Sequence, residues 1–154
     1  MTEAWRKYDA RTPLPPLLGE VKEIAFDELH RRLADEGFDE IRPGHGCVFR
    51  FVGHEGSRLT ELANRSGFTK QAVGEVADDL EHLGYVERAP DPGDRRAKLI
   101  RLTDRGSDAQ AAAMRIFADI EHRWAERYGE ERIAQLREML EEIVAVERAP
   151  AAVA

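Results

Sequence analysis

The 154-residue sequence contains a single cysteine, Cys47, and this scarcity excludes several classes of protein. One cysteine cannot form an internal disulfide, and no Cys/His cluster has the spacing of a zinc finger. Long apolar runs are also missing, since no stretch approaches the roughly 20 residues of a membrane span and the first residues lack the apolar core of a secretory signal. We therefore expect a cytoplasmic protein with no membrane partner, no metal and no cofactor.

Catalytic motifs are lacking as well. The sequence has no phosphate-binding loop, no GxSxG or HExxH motif and no dinucleotide-binding glycine pattern. Carboxylates scattered along predicted helices do not by themselves indicate acid-base catalysis. We therefore expect that the chain is not an enzyme.

The formal net charge of −7 at pH 7 is unusual for a protein that binds nucleic acid, but the charge is unevenly distributed. Residues 1–57 have a net charge of −3 and residues 107–154 one of −4, whereas residues 58–106 hold nine Lys/Arg and nine Asp/Glu. Six basic residues of this neutral segment fall within 18 positions: Arg88, Arg95, Arg96, Lys98, Arg101 and Arg105. Local placement matters more than total charge for phosphate contact, although the overall acidity predicts weak non-specific binding at physiological salt.

The periodicity of apolar residues predicts a mainly α-helical chain with one β-hairpin, an α+β fold class. An amphipathic helix is expected from Leu14 to near Gly37, and the apolar run from Cys47 to Val52 indicates a short second helix. After Thr103, a plausible N-cap, a long helix runs to a break at Tyr128 and is followed by a last helix.

The middle of the chain has the pattern of a helix-turn-helix. Helices are predicted at 59–66 and 69–83, with Thr60 and Thr69 as N-caps. Ala63 supplies the small residue at the helix contact, and Gly67 supplies a turn residue able to adopt positive φ. The buried stripe of the second helix is expected to comprise Val73, Val76, Leu80 and Leu83. The outer face near its N-terminus then presents the residues that can reach DNA, namely Thr69, Lys70, Gln71, Gly74 and Glu75.

Each of these outward residues has a chemical role on DNA. Lys70 can contact a phosphate or a guanine edge, Gln71 can pair with adenine, and Thr69 can cap the helix while touching phosphate. Gly74 allows close approach of the DNA. Glu75 has open alternatives, because its carboxylate can accept from cytosine N4 or hold Lys70 or Arg58 in place.

A hairpin with a charged tip, the form of a wing, follows the second helix. Strands are predicted at Tyr85 to Ala89 and at Lys98 to Leu102, separated by a turn-rich tip from Pro90 to Asp94. Up to this point the order of motifs resembles the MarR family of transcriptional regulators over about 50 residues. The residues that carry the resemblance are Leu59-Thr60-Glu61-Leu62-Ala63, Gly67, Thr69-Lys70-Gln71, Leu80-Glu81, Gly84-Tyr85-Val86-Glu87-Arg88, Asp91-Pro92, Asp94-Arg95-Arg96, Leu102-Thr103 and Gly106.

The resemblance implies a role for the wing. Asp94 and Arg96 match the family's Asp-x-Arg motif, in which the carboxylate braces an arginine that enters the minor groove. Arg95 and Lys98 would add phosphate contacts, and we include Arg58 among the DNA contacts. The alternative is that these residues are solvated turn charges.

The resemblance also implies a homodimer, formed by the terminal helices, and a small aromatic ligand bound in a cleft. Candidate ligand-lining residues are Phe26, His30, His45, Phe49 and Trp124, although ordinary core packing is the favoured interpretation for each. Hydroperoxide-sensing members use a cysteine near the start of the first helix, where this chain has none. We therefore interpret Cys47 as a small buried hydrophobic residue.

We accordingly divide the chain into an N-terminal arm at 1–13, N-terminal helices at 14–57, a winged helix-turn-helix at 58–106, dimerisation helices at 107–148 and a disordered tail at 149–154. The resulting hypothesis is a sequence-specific DNA-binding regulator, by default a repressor, that reads a pseudo-palindromic operator in double-stranded DNA as a homodimer and is released by a ligand. The alternative is a winged-helix module that binds proteins and has lost DNA binding.

Overall fold

A computed structural model describes residues 11–149, so residues 1–10 of the predicted arm and 150–154 of the predicted tail lie outside the described residues. The elements are α1 (Leu14–Asp35), a 3₁₀ turn (Pro43–His45), α2 (Gly46–Phe49), α3 (Leu59–Ser66), α4 (Lys70–His82), β1 (Val86–Asp91), β2 (Asp94–Leu102), α5 (Asp104–Tyr128) and α6 (Glu130–Glu147). The predicted fold class, mainly α with a small β-hairpin wing, is confirmed. The chain forms two compact units that divide after Met114, within α5.

The core of the first unit lies where α3 and α4 meet. Gly67 ends α3 in the left-handed region, with φ of 77°, and only Phe68 and Thr69 separate it from α4. Ala63 is buried at the helix contact, so the predicted roles of Ala63 and Gly67 are confirmed. Thr69 caps α4, because its side chain accepts a hydrogen bond of 3.1 Å from the Ala72 N–H.

The buried stripe of α4 differs slightly from the predicted one. Val73 and Leu80 are fully buried, as expected, whereas Val76 and Leu83 are only half-buried. Ala77 is also fully buried, and it was missed because alanine carries little apolar signal in a periodicity count. Around these residues the core draws on every element of the first unit from α2 to the start of α5: Cys47, Val48, Leu62, Ala63, Tyr85, Val86, Ile100 and Ala109.

The wing is an antiparallel hairpin whose strands pair from Val86 with Leu102 to Asp91 with Asp94. A short segment before α3 extends it. Ser57 donates its N–H to the Ile100 carbonyl at 2.9 Å and accepts from the Ile100 N–H at 2.8 Å. The Ser57 bridge was not predicted, because one paired residue leaves no alternating pattern, and it fixes the start of α3 against β2.

Three predictions about local boundaries are wrong. Thr60 is not an N-cap but lies inside α3, whose N-cap residue is Arg58 and has no side-chain cap. The strands are longer than predicted, and the tip is only Pro92 and Gly93. The turn is tighter because the Asp91 side chain accepts from the Gly93 N–H at 2.8 Å and thus replaces a longer loop. The second helix ends at Phe49 rather than at Val52.

Two predictions about α5 and the residues before it are confirmed. Thr103 caps α5, because its hydroxyl oxygen accepts from the Gly106 N–H at 3.1 Å. The break at Tyr128 is present, with Gly129 at φ of 102° between α5 and α6. Tyr85 lies beside this start of α5, since its carbonyl accepts from the Thr103 N–H at 3.0 Å.

The second unit contains the later part of α5 and all of α6. Ile116 and Ile120 of α5 are buried, and Arg137 of α6 donates to Glu121 of α5 at 2.5 Å. No residue of α6 is buried, and its exposed apolar residues are Leu136, Met139, Ile143, Val144 and Val146. Within residues 11–149, no helix is both long enough and apolar enough to cross a membrane.

Candidate nucleic-acid interface

The N-terminal turn of α4 presents its polar side chains to solvent. Thr69, Lys70 and Gln71 are exposed, as the helix-turn-helix pattern predicts for residues that reach base edges. Gly74 lies one turn further along the helix. Outside the backbone of α4 itself, a Cβ added there would meet no atom of residues 11–149 within 4 Å, so the packing of the described residues does not itself require glycine at that position.

Glu75 contacts Gln71 rather than the two cations proposed for it. The Gln71 Nε2 donates to Glu75 Oε1 at 3.5 Å, one helical turn apart. Arg58 instead binds Asp91, and Lys70 forms no ion pair within residues 11–149. Of the open alternatives for Glu75, holding Lys70 or Arg58 is therefore wrong in this structure, and the contact with a cytosine stays a prediction.

The tip of the wing carries two arginines on a bulge. Pro90 of β1 pairs with Lys98 of β2, and the next residue, Asp91, pairs with Asp94. The residues of β2 between these two pairs, which include Arg95 and Arg96, therefore have no partner on β1. Bulges of this kind redirect side chains away from the plane of the sheet. Both arginine side chains are exposed and free of ion pairs within the described residues.

Asp94 braces the wing arginine through the backbone. Its carboxylate accepts from the Arg96 N–H at 2.9 Å, which holds the bulge in shape and leaves the guanidinium of Arg96 free. The sequence resemblance implied that Asp94 and Arg96 act together, and the structure shows backbone support as the form of their contact.

A second carboxylate of the wing fastens its base to α3. Arg58 Nε donates to Asp91 Oδ2 at 2.6 Å, while Asp91 Oδ1 accepts from the Gly93 N–H. The Gly93 hydrogen bond and then the Arg58 guanidinium lower the pKa of Asp91. This pair went unrecognised in the sequence because its members are 33 residues apart.

The charges of residues 58–106 separate into two groups. Five of the nine basic residues are paired with carboxylates: Arg58 with Asp91, Arg65 with Glu61, Arg88 with Asp78 and Glu81, Arg101 with Glu87, and Arg105 with Glu40. The remaining four form no ion pair within residues 11–149: Lys70, Arg95, Arg96 and Lys98. Since all four lie at the start of α4 or on the wing, the unpaired positive charge is concentrated where DNA contacts are predicted.

Two further networks were not predicted from the sequence. Arg88 of β1 donates to Asp78 at 2.6 Å and to Glu81 at 2.9 Å, and so joins the wing to the C-terminal half of α4. Partial burial alone would lower the pKa of Arg88, but the two carboxylates outweigh it and the net shift is upward.

The second network surrounds the buried Tyr85. Its hydroxyl donates to Glu40 Oε2 at 2.8 Å, and Arg105 donates to the same carboxylate at 3.0 Å while lying 4.6 Å from the centre of the Tyr85 ring. The Tyr85 hydrogen bond is the main cause that lowers the pKa of Glu40, with Arg105 contributing further. The network links the loop after α1 to the start of α5.

A cleft with a volume of about 460 Å³ lies along one flank of α4. Its wall is formed by Arg42, Gly44, His45, Cys47, Phe68, Ala72, Glu75, Val76 and Asp79. Of the five predicted ligand-lining residues, only His45 lies there. Its side chain is 5% exposed, its Nε2 contacts Asp79 Oδ2 at 2.7 Å, and its Nδ1 accepts from the Arg42 N–H at 3.0 Å.

The other ligand candidates lie elsewhere. Phe26 and His30 are neighbours on α1, with ring centres 6.4 Å apart. Phe49 packs its ring edge against Tyr85 at 6.0 Å. Trp124 is half-buried on α5 in the second unit. Both ring nitrogens of His30 are shielded from solvent and have no hydrogen-bond partner among the described residues, and burial lowers the pKa of this histidine.

Cys47 is buried, with a relative exposure of 8%, and its thiol donates to the Gly44 carbonyl at 3.4 Å. Burial raises the pKa of the thiol, which disfavours the reactive thiolate. Within residues 11–149, no group of three or more His, Cys, Asp or Glu side chains is arranged to hold a metal ion.

Comparison with known proteins identifies relatives of the helix-turn-helix and wing. A model of the MarR family matches residues 41–97. The HTH-type transcriptional regulator YdcH of Bacillus subtilis (strain 168) is 32% identical over 75 residues, which cover 49% of this chain and 51% of YdcH. The chain thus spans about half the length of this curated relative.

Solved structures extend the similarity beyond that region. The transcriptional regulator Tm0710 from Thermotoga maritima is 25% identical, with a TM-score of 0.58 over 88% of this chain and 94% of Tm0710. The transcriptional repressor CouR, bound to a 23-mer DNA duplex, has a TM-score of 0.71 over 94% of this chain and 98% of CouR at 24% identity, so it shows a shared fold. The motif pattern, the match of a MarR family model to residues 41–97 and the fold agree, and the chain is similar to winged helix-turn-helix transcriptional regulators of the MarR family.

Proposed function

We propose that this protein binds double-stranded DNA sequence-specifically through α4 and the wing, and regulates transcription by doing so. The observation that carries the proposal is the sorting of charge within residues 58–106. Five arginines are paired with carboxylates, whereas Lys70, Arg95, Arg96 and Lys98, at the start of α4 and on the wing, form no ion pair with any residue from 11 to 149. A module with no net charge thereby offers DNA a cationic surface.

The roles of the individual residues follow from their positions. Lys70 and Gln71 stand on the exposed first turn of a capped helix, where a recognition helix contacts base edges in the major groove. Arg96 projects from a bulge braced by Asp94, a position suited to an arginine that inserts into the minor groove. The fold shared with CouR is compatible with this arrangement, since CouR is bound to a DNA duplex.

The test begins with selection of DNA fragments from a random pool by the purified protein, followed by gel-shift titration of the selected site. Arg96→Ala is expected to weaken specific binding by about 5-fold to 150-fold, since a base or groove contact contributes about 1–3 kcal/mol. Lys70→Ala is expected to weaken binding as well and, if Lys70 contacts phosphate, to reduce the salt slope by about one.

Arg101→Ala provides the matched control. Arg101 is also an exposed arginine of β2, and its removal changes the net charge equally, but its guanidinium is paired with Glu87. We expect this variant to bind within about threefold of the wild type, because a surface ion pair contributes about 1 kcal/mol or less. If Arg96→Ala, Lys70→Ala and Arg101→Ala all bind the selected site as tightly as the wild type does, the proposed interface is contradicted. That result would favour a protein-binding module instead.

We propose in addition that the protein is a homodimer that reads a pseudo-palindrome. The first turns of α1 and all of α6 expose apolar residues that water disfavours, including Leu14, Ile24, Met139 and Val146, each more than half exposed. A two-fold dimer would place two copies of α4 about one helical turn of DNA apart, roughly 10 base pairs. Sedimentation at micromolar concentration should give twice the chain mass, and the selected DNA site should be an inverted repeat.

Repression and release by a small aromatic ligand complete the proposed function. Occupying an operator within a promoter excludes other proteins from it, which gives repression. The cleft beside α4, with a volume of about 460 Å³, has the size of a small-molecule site. A reporter gene placed behind the selected site should be silenced by the protein, and small aromatic acids and phenols should be screened for restoring its expression.

A further inference from the structure

The acidic C-terminal half of α4 is at odds with a DNA-reading helix. Asp78, Asp79 and Glu81 bring three negative charges into the helix that is to meet a polyanion. All three residues are exposed, yet each side chain contacts a residue outside α4. Their contacts therefore need an explanation other than solvation.

Two separate elements contact these carboxylates. His45, in the 3₁₀ turn before α2, contacts Asp79 at 2.7 Å. Arg88, in β1, donates to Asp78 at 2.6 Å and to Glu81 at 2.9 Å. Successive residues of a helix are turned by about 100° around its axis, so Asp79 lies on one side of the buried stripe of α4 and the Arg88 contacts lie on the other.

The hydrogen-bond pattern of His45 makes its contact directional. Nδ1 accepts from the Arg42 N–H at 3.0 Å and therefore carries no proton, which leaves the proton on Nε2, where it is donated to Asp79. His45 as a whole residue is only 4% exposed. Its ring therefore cannot rotate toward solvent without disrupting the packing around the 3₁₀ turn. His45 thus ties a rigid turn to one flank of α4.

We propose that the contacts of His45 with Asp79 and of Arg88 with Asp78 and Glu81 act as opposed clamps that set the rotation of α4 about its axis. His45, Asp79 and Arg88 are then positioning residues that determine DNA specificity without touching DNA. The fully buried stripe of Val73, Ala77 and Leu80 holds α4 by apolar contact, which is non-directional and fixes the rotation of the helix less sharply than hydrogen bonds do. A roll would displace Gln71 and Gly74 relative to base edges, whereas the phosphate contacts proposed for the wing do not depend on the rotation of α4.

This inference rests on the proposed DNA-binding function, and the pair Asp79→Asn and Asp79→Ala tests it. Both substitutions remove one negative charge, so any general electrostatic gain in DNA affinity is the same in the two variants. Asn keeps an oxygen that can accept from His45 Nε2, whereas Ala does not. The Asp79 side chain is 53% exposed, so neither substitution disrupts the core.

The readout is the specificity ratio, the Kd for a site with one altered base pair in the half-site divided by the Kd for the selected site. We expect Asp79→Ala to lower this ratio about tenfold and Asp79→Asn to leave it within about twofold of the wild type. Affinity for random-sequence DNA should be equal in the two variants. A role in stability alone would not lower the ratio in protein that is shown to be folded by circular dichroism.

His45→Ala and the His45→Ala/Asp79→Ala double variant complete a double-mutant cycle. The specificity ratio of the double variant should be no lower than that of either single variant, because both substitutions remove the same contact. If His45→Ala fails to fold, the Asp79 pair decides alone. Equal specificity ratios for Asp79→Ala and Asp79→Asn would overturn the clamp while leaving DNA binding intact. A wild-type protein that selects no DNA sequence would overturn the proposed function and the clamp together.

Discussion

Replacing Gly106 by alanine is the perturbation with the clearest geometric consequence. Gly106 lies in the first turn of α5, and a Cβ added there would come within 1.9 Å of the Tyr85 carbonyl oxygen, with Leu102 Cδ2 at 3.2 Å. The 1.9 Å contact is more than 1 Å below the 3.0 Å that real Cβ atoms keep. Because the obstacle is backbone next to a fully buried tyrosine, no side-chain rotation relieves it.

The magnitude follows from what must move. To open the gap, the first turn of α5 has to separate from Tyr85, which breaks the hydrogen bond of 3.0 Å from the Thr103 N–H to the Tyr85 carbonyl. Loss of that bond costs about 1 kcal/mol, and overpacking of a well-packed site costs about 1–3 kcal/mol. We therefore expect Gly106→Ala to lower the free energy of unfolding by about 2–4 kcal/mol.

Urea unfolding followed by circular dichroism measures this difference, at a fixed protein concentration because assembly shifts apparent stability. Gly74→Ala is the matched control, since a Cβ there meets nothing within 4 Å and alanine is favoured in a helix interior by about 1 kcal/mol. The two variants should move the urea midpoint in opposite directions. A Gly106→Ala protein as stable as the wild type would refute the inferred close approach of α5 to Tyr85.

Three further outcomes are expected. Gly74→Ala should weaken binding to the selected DNA site about tenfold in spite of its added stability, because in the proposed interface the added methyl group would face the DNA, and an unchanged Kd would contradict close approach. His30→Leu should raise the free energy of unfolding by about 1 kcal/mol at neutral pH, since it removes two ring nitrogens that are shielded from water and form no well-aligned hydrogen bond within residues 11–149, where the backbone of Ile41 is the hydrogen-bonding group close enough to act on the ring. Burial lowers the pKa of His30 in the folded protein below 6.5, so the unfolded chain binds a proton at higher pH than the folded one. The stability difference between His30→Leu and the wild type should therefore grow as the pH falls below 6.5. A difference that does not change with pH would contradict this prediction. Asp91→Asn should lower the melting temperature at neutral pH. The depressed pKa of Asp91 stabilises the fold above the unfolded value of 3.8, so the wild-type advantage should vanish as pH falls through the lower folded pKa, and its persistence in acid would contradict the Asp91 contacts.

The local parts of the interface were predictable because their causes are local. Helix periodicity placed α3 and α4 within a residue of their observed bounds, and the spacing of Ala63 and Gly67 indicated the tight turn between them. Thr69 was recognised as a cap from its position alone. Polar residues on the outer face of α4 follow directly from knowing which residues are buried.

The errors have physical reasons that a pattern of residues does not carry. Thr60 has the right chemistry for a cap but lies two residues past the observed N-cap position, Arg58, because Ser57 and its bridge to Ile100 decide where α3 begins. The wing tip was drawn too wide because Pro, Gly and Asp are turn formers wherever they occur. Side chains of Asp91 and Asp94 satisfy backbone N–H groups at the tip and so allow a two-residue turn.

By itself, the sequence determined the helices, the turn between α3 and α4, the presence of a wing and the resemblance to the MarR family, since each depends on residues close together along the chain. Only the tertiary structure decided which basic side chains are paired with carboxylates and which are not. The contacts that settle this join residues far apart in sequence: His45 to Asp79 across 34 positions, Arg58 to Asp91 across 33 and Arg105 to Glu40 across 65. A charged side chain is neutralised by whichever partner folding brings near it. Counting charges along the sequence therefore gives the net charge of zero for residues 58–106, but it does not identify the four basic residues that form no ion pair within residues 11–149.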